Sequence, residues 1–454
     1  MINKYGISHI YTDKISDVIE IYKETKAAAN SNFDQIKELT EIYKGNQLKY
    51  IPDTARKANE KMVVNYTKVF IDTVVSITLN KAMTYVARGK NKQYKADVDK
   101  ITAFLNDEGE HAYNINTCTD IIVDGIGYQY TLEQKTGDIT PSSPFTIGRL
   151  DNLSTYVVES SAIGNKVVVS YIISQLNSAE RVTAFDDKYK YVFEKNKNGD
   201  YKYVKTTGVD SNGNIIEQDA ITAHDLPYNP IQVFESDMYR LSTVQDLWGL
   251  QETLNLSVSN YNNDILLKIN QLLLIIGNDI DDKEIANLEK NNVLIVKEGD
   301  AKFIASQLDS RVIDYIKDTI EMMCLISGCP SQNTGRAETG TAVETQNGHT
   351  IANFNSNRRE QSFYKPKRQQ LANIITILKR NGIIKSDITE NDIEIKFDKN
   401  RLISITENVN NLRTLINDIK VEPYKALSVC PIFEDNEEVA QGIVENKKVD
   451  IKTI

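Results

Sequence analysis

The chain is poor in the residues that build the commoner kinds of reactive site. Its four cysteines, Cys118, Cys324, Cys329 and Cys430, are scattered and form no CxxC pair. Free thiols in a reducing cytoplasm are therefore expected, not a disulfide framework. The four histidines, His9, His111, His224 and His349, lack metal-ligand spacing and no HExxH occurs, so no metal is expected. No GxxxxGK(S/T) run is present to cradle a triphosphate, and neither GxSxG nor GxGxxG is found. Asp279-Ile280-Asp281-Asp282 begins like a Ca²⁺ loop but lacks the sixth-position glycine and the closing glutamate, so it reads as a turn and helix cap. No cofactor is expected. The longest apolar run, Leu272–Ile276, is far too short to span a bilayer. The N-terminal MINKYGISHIYTDK has no apolar core, and no signal peptide is expected.

What is present fits an ordinary folded chain. With 454 residues, 41% hydrophobic and 26% charged, it can hold two or three domains and a sizeable core. The net charge of −10 argues against gripping nucleic acid over the whole surface. It leaves room for a protein that encloses nucleic acid without holding it.

Residues 13–110 read as helical. Ile15, Val18, Ile19 and Tyr22 start one amphipathic stripe; Phe33, Ile36, Leu39 and Ile42 make a second, closing at Gly45. The run Val63–Met83 is β-branched, but its length favours a buried helix. Helical character continues to Gly125. Residues 126–235 change texture: short Tyr- and Val-rich runs alternate with turns such as Asn198-Gly199-Asp200, which predicts an antiparallel β insert. Its tyrosines suit half-buried strands. Ser242-Thr243-Val244-Gln245 is a capping box that opens a long helix. Strands at Leu272–Ile276, Val293–Val296 and Lys302–Ala305, with a short helix from Asp282, make a small α/β module. After Gly382 come a strand at Ile393–Phe397 and helices near Ser404–Ile419 and Asn436–Asn446.

The stretch from Ser310 to Gly382 organises the rest. Val312, Ile313, Ile316, Ile320, Met323 and Ile326 form a helical stripe, Gly328 is placed to end that helix, and Pro330 forbids its continuation. The loop Cys329–Gly340 is almost wholly polar. Thr341 to Glu344 is a capping box for a longer helix ending before Gly382, with Pro366 inside it as an expected kink.

This order of parts resembles the portal proteins of tailed bacteriophages, in the form common in phages of Gram-positive hosts. Four stretches carry the likeness: Glu41 to Gln47 with Lys61 to Asp72; His224 to Phe234 followed by Asn255, Ser259 and Asp264; Ile326 to Pro330 with Thr339 to Val343; and, loosely, Ser428, Pro431, Asp435, Glu437 and Glu445. The resemblance implies an α+β, mainly helical portal fold. Its parts would be a wing over 1–242 with a β-rich insert at 126–235, stem helices at 243–268 and 310–328, and a clip at 269–309. A tunnel loop at 329–341, a long kinked helix at 342–382, a return strand at 383–403 and a crown and tail at 404–454 would follow.

The function implied is a ring of roughly twelve copies at one capsid vertex. Double-stranded DNA would be packaged through it by a terminase motor and later ejected. Its partners would be the terminase large subunit, a head–tail adaptor, and the major capsid and scaffolding proteins, with no membrane. It would reside in the virion, and in the host cytoplasm during assembly. Channel residues would be Gln332, Asn333, Thr334, Arg336, Glu338 and Thr339. Arg336 would touch the DNA backbone or pair with Glu338 of a neighbouring copy. Arg358, Arg359, Lys365, Lys367 and Arg368 form a basic cluster for DNA or for an intersubunit face. The alternatives are a DNA-processing enzyme, which needs a Mg²⁺-binding carboxylate cluster that does not stand out here, and a tail or adhesion protein binding through the β insert.

Overall fold

Asp17 starts the first helix, α1 (Val18–Lys44): its carboxylate accepts from the amides of Ile19 and Glu20, and Gly45, at φ +92°, ends it. The two expected stripes are thus one continuous face, buried at Ile21, Tyr22, Ala29, Ile36, Leu39 and Ile42. The fold here is a computed structural model describing residues 6–14, 17–53, 59–89, 91–134, 143–162, 164, 166–176, 179–209, 215–269, 273–276, 300–303, 310–329, 342–397, 405–422 and 426. The chain divides into two units, Met1–Asp398 and Lys399–Ile454.

The first unit is mixed α+β. Helix α2 (Tyr66–Thr78) occupies only the middle of the apolar run around it. The expectation of helical character over 13–110 is corrected by one strand, Thr84–Ala87, which pairs antiparallel with Ile393–Lys396; just before that range, Tyr11–Thr12 joins a sheet. A four-residue strand bordering a helix carries too short a pattern to separate from it. Helices α3 (Lys92–Asp107) and α4 (Glu110–Asp124) follow, and Gly125 caps α4 at φ +83°.

The β insert is two sheets and a hairpin. Ile126–Glu133 lies between Phe145–Leu150 and Ile231–Glu235 in a three-stranded antiparallel sheet. The larger sheet has seven strands and runs Tyr11–Thr12, Thr155–Ser160, Val167–Leu176, Ala179–Phe185, Tyr189–Lys195, Ile221–Ala223, with Tyr201–Tyr203 also on Tyr189–Lys195. Its first pair is parallel and the others antiparallel. Thr206–Val209 and Ile215–Gln218 form a separate hairpin. One face of the larger sheet takes α1, with Tyr22 among Tyr156, Tyr171 and Phe193 in an aromatic core. Other tyrosines of the insert, Tyr189 and Tyr203, are exposed.

Helix α5 (Thr243–Ile269) packs along α6 (Ser310–Ser327). Between them in sequence, Leu273–Ile276 pairs antiparallel with Asp300–Phe303. The expected strand Val293–Val296 and the helix from Asp282 lie outside the described residues. Helix α7 (Ala342–Arg380) runs without interruption through Pro366 and ends at Gly382, φ +70°, where the Ile383 amide reaches the Leu378 carbonyl at 2.9 Å. Its second half is core: Phe363, Leu371, Ile374, Ile377 and Leu378 pack with α2, α4 and α5 residues.

In the second unit, α8 (Ile405–Asn417) ends in a turn in which Lys420 has φ +60° and the Val421 amide bonds the Leu415 carbonyl at 2.9 Å. The expected helix Asn436–Asn446 lies outside the described residues.

Candidate functional site

Helix α5 is held to the body by a polar ladder. Gln251, Asn255, Ser259 and Asn263 recur every fourth residue, so they share one helix face. All four are buried. Their oxygens accept from the amides of Thr67 (3.0 Å), Val64 (3.0 Å), Met62 (2.9 Å) and Glu60 (2.9 Å) respectively. Three of them also donate back, to the carbonyls of Val64, Met62 and Glu60. Four residues of helix rise ~6.0 Å and two residues of extended chain span ~6.6 Å, so the periods match over three rungs. The fourth, at Thr67, falls where α2 has begun. Asn255 also donates to Gln47 Oε1 at 2.6 Å, and Gln47 bonds the Ile42 carbonyl at the end of α1. The sequence pattern marked Asn255 and Ser259 but not the ladder. The signal was a polar residue every four positions inside an apolar helix.

The N-terminus of α5 is fixed just as tightly. Ser242 Oγ accepts from the Val244 amide at 3.0 Å and Gln245 Oε1 accepts from the Ser242 amide at 3.3 Å, the expected capping box. Ser242 also donates to the Val123 carbonyl of α4. Arg240, buried and at φ +52°, ion-pairs with Glu159 at 2.8 Å and Glu235 at 2.6 Å. Its carbonyl oxygen lies where any side chain at Gly6 or Gly125 would stand, 2.5 Å and 2.1 Å from a Cβ built at each, and at Gly6 the Tyr239 carbonyl is closer still, 2.0 Å. His9 bonds both oxygens of Glu159 at 3.2 Å, which raises the imidazole pKa. Burial favours neutral Glu159, yet the His9 bond and Arg240 hold its pKa below the usual range. His9, Glu159 and Glu235 are one grouping of metal-type ligands among the described residues. The Arg240 guanidinium already supplies the cation there.

Helix α6 is buried at Thr319, Met323, Cys324 and Ser327, with Ile316 and Ile320 packed against the core. Two residues of the expected stripe, Ile313 (39% exposed) and Ile326 (51% exposed), are left uncovered. Tyr315, Met322 and Leu325 are exposed too, so α6 carries a second, uncovered apolar surface. The helix ends as expected at Gly328, φ +75°, where the Cys329 amide reaches back to the Cys324 carbonyl at 3.1 Å. Cys118, Cys324 and Cys329 are buried thiols with no disulfide among the described residues; Cys430 lies outside the described residues.

The expected basic cluster is separated by the structure. Lys367 is fully buried: Nζ bonds Glu110 at 2.8 Å, Gln129 at 3.0 Å and Gln370 at 2.7 Å. Tyr85 donates to the same Glu110 carboxylate. Burial pushes the Lys367 pKa down against the pull of Glu110. Arg359 turns to the end of α6, where Nη2 donates to the Ser327 carbonyl at 3.1 Å, a cation on an unpaired helix-end carbonyl. Arg358 is exposed and 3.7 Å from Asp237; Lys365 is exposed and Arg368 half-buried. A basic stretch of sequence conceals that consecutive helix positions point in different directions, so neighbours go to core, cap and solvent. Gln332, Asn333, Thr334, Arg336, Glu338, Thr339 and the Thr341 cap lie outside the described residues.

No curated protein sequence matches the chain. The protein family described as "Phage portal protein, SPP1 Gp6-like" matches residues 22–453, nearly the whole length. The chain belongs to this family of phage portal proteins.

Proposed function

We propose, from that membership, that the protein is one subunit of a ring through which double-stranded DNA enters and leaves the capsid. Portal proteins of this family are structural rather than enzymatic, and the family implies a ring at the capsid vertex with terminase and capsid partners. In our reading α5 and α6 are the stem, and residues 269–309 are the clip that meets the head–tail adaptor. Residues 329–341 are the tunnel loop, α7 is the tunnel helix, residues 1–242 and the return strand 383–403 form the wing, and residues 404–454 form the crown. The ring holds roughly twelve copies, closed by cyclic symmetry.

The observation that carries this reading is the second apolar surface of α6. Tyr315, Met322, Leu325 and Ile326 lie uncovered on a helix whose other side is packed into the core. In a ring, the neighbouring subunit's stem covers them, removing apolar area from water at about 25 cal/mol per Å². Arg336 with Gln332, Asn333, Thr334, Glu338 and Thr339 would face the duplex in the channel. Arg358, Lys365 and Arg368 would serve DNA or intersubunit contacts. A net acidic wall lets the duplex slide, because dense Lys/Arg contacts to phosphate would hold it.

Negative-stain microscopy with native mass on the purified chain tests this. Closed rings are expected, and Met322→Glu with Leu325→Glu should yield folded single subunits. Compact dimers from the unaltered chain, or rings indifferent to both charges, would overturn the stem assignment. Deleting Gln332–Glu338 should leave rings intact and impair DNA packaging or retention; loss of assembly would remove this loop from the channel.

A further inference from the structure

Two exposed helix faces of this chain carry opposite charge. On α7, Phe354, Arg358, Gln361, Lys365 and Arg368 recur at steps of four and three residues, so they share one face. Phe354 is 67% exposed; Arg358, Gln361 and Lys365 are exposed as well, and Arg368 is half-buried. The one carboxylate in the sequence between Phe354 and Arg368, Glu360, is buried away from that face and accepts from Ser356 at 3.2 Å. Arg358 stands 3.7 Å from Asp237, and Lys365 and Arg368 have no ion pair among the described residues. The face is therefore basic, with an aromatic ring at one end.

On α6, Asp314, Asp318, Glu321 and Leu325 step by four, three and four, and form an edge beside the uncovered Met322. Asp314, Asp318 and Leu325 are exposed and Glu321 is half-buried. Lys317, 3.5 Å from Asp314, and Arg311 offset part of this charge. Asp318, in the middle of the edge, has no cation among the described residues. This edge is therefore acidic, with an aliphatic side chain at one end, and it has the spacing of the α7 face. Steps of four and three average 3.5 residues, the repeat at which two helices mesh along a seam.

We propose that the basic face of α7 in one copy docks on the acidic edge of α6 in the next, so that each α6 is seated between the stem and the tunnel helix of one neighbour. The contact rests on the ring reading and gives Arg358, Lys365 and Arg368 a second copy of this chain as their partner. Cyclic closure is what makes two different faces answer each other: every copy offers one and receives the other. Opposite charge across such a contact fixes its register and rejects wrong pairings. Phe354 favours a protein partner over a duplex, because phosphates offer an exposed aromatic ring no apolar surface, whereas Leu325 and Met322 do.

Charge reversal in the full chain tests the contact, read by native mass and negative-stain microscopy with circular dichroism as the control for folding. Lys365→Glu with Arg368→Glu should abolish rings and leave folded single subunits. Asp314→Lys with Asp318→Lys should do the same. All four changes in one chain should restore the rings, because each face then meets its opposite again. The milder Lys365→Gln with Arg368→Gln removes charge without reversing it. It should raise the concentration at which rings dissociate about tenfold and make them less sensitive to salt. Rings that survive both reversals, or that the fourfold change fails to restore, would overturn the contact and leave the ring reading standing. Surviving rings that bind duplex DNA less well would give the basic face to DNA instead. No ring from the unaltered chain would remove the ring reading and this contact together.

Discussion

The two ends of α4 hold buried carboxylates in opposite settings. Glu110 stands in the first turn, where the helix dipole favours an anion, and it is met by Lys367 and Tyr85. Asp124 closes the last turn, where the dipole is adverse, and among the described residues it has only Thr40 and Asn152 as donors. The first arrangement is complete within the chain. The second leaves the carboxyl group without an ion pair among the described residues. Burial alone therefore does not fix the state of a carboxyl group; the balance of donors, acceptors and charge does.

Breaking the complete end should have the largest effect. Lys367→Met strands Glu110 in the core and is expected to cost about 3–5 kcal/mol, measured by urea unfolding. Adding Glu110→Gln should recover part of that. A loss below ~1 kcal/mol would mean the pair is not coupled as described. Next comes the ladder: Asn255→Leu takes the Asn255 partner from the Val64 amide and from Gln47 Oε1 and should cost about 2–3 kcal/mol. An unchanged unfolding midpoint would show that water replaces those bonds.

The incomplete end should respond to pH instead. The folded pKa of Asp124, about 8, lies above its unfolded value. Neutral Asp124 therefore stabilises fully below the unfolded pKa of ~3.9, and that stability is lost as pH rises through about 8. Asp124→Asn should gain about 1–3 kcal/mol over the parent in alkaline solution and little in acid. A difference independent of pH would remove Asp124 as its cause. The smallest effect is expected at the α6 end. Arg359→Leu should cost about 1 kcal/mol and speed hydrogen exchange in the last turn of α6. Exchange faster everywhere, or nowhere, would deny the cap.

Much of the architecture could be read from pattern. The 3.6-residue stripes located α1, α5 and α6, and glycines at 45, 125, 328 and 382 ended the helices as expected, each with φ above zero. Thr84–Ala87 was hidden because its partner, Ile393–Lys396, lies some three hundred residues away and the pairing has no local trace. The exposure of Ile313 and Ile326 was hidden for a different reason. An apolar residue on a helix obeys the same periodicity whether its own chain or another copy covers it. The basic run 358–368 looked uniform because composition records charge but not direction. Asn152 carried no motif at all. Its place beside Asp124 is one that only coordinates reveal.

The ladder between α5 and residues 60–67 has a consequence for how this protein can vary. Its rungs grip amides and carbonyls, not side chains, so α5 recognises the path of the segment and ignores its spelling. Met62, already 40% exposed, contributes its backbone alone to the bond with Ser259. Substitutions along 60–64 should therefore drift freely, with one exception. Proline at Glu60, Met62, Val64 or Thr67 removes the amide that a rung requires. The constraint falls on Gln251, Asn255, Ser259 and Asn263. Across divergent relatives, those four should persist while the strand they hold is rewritten.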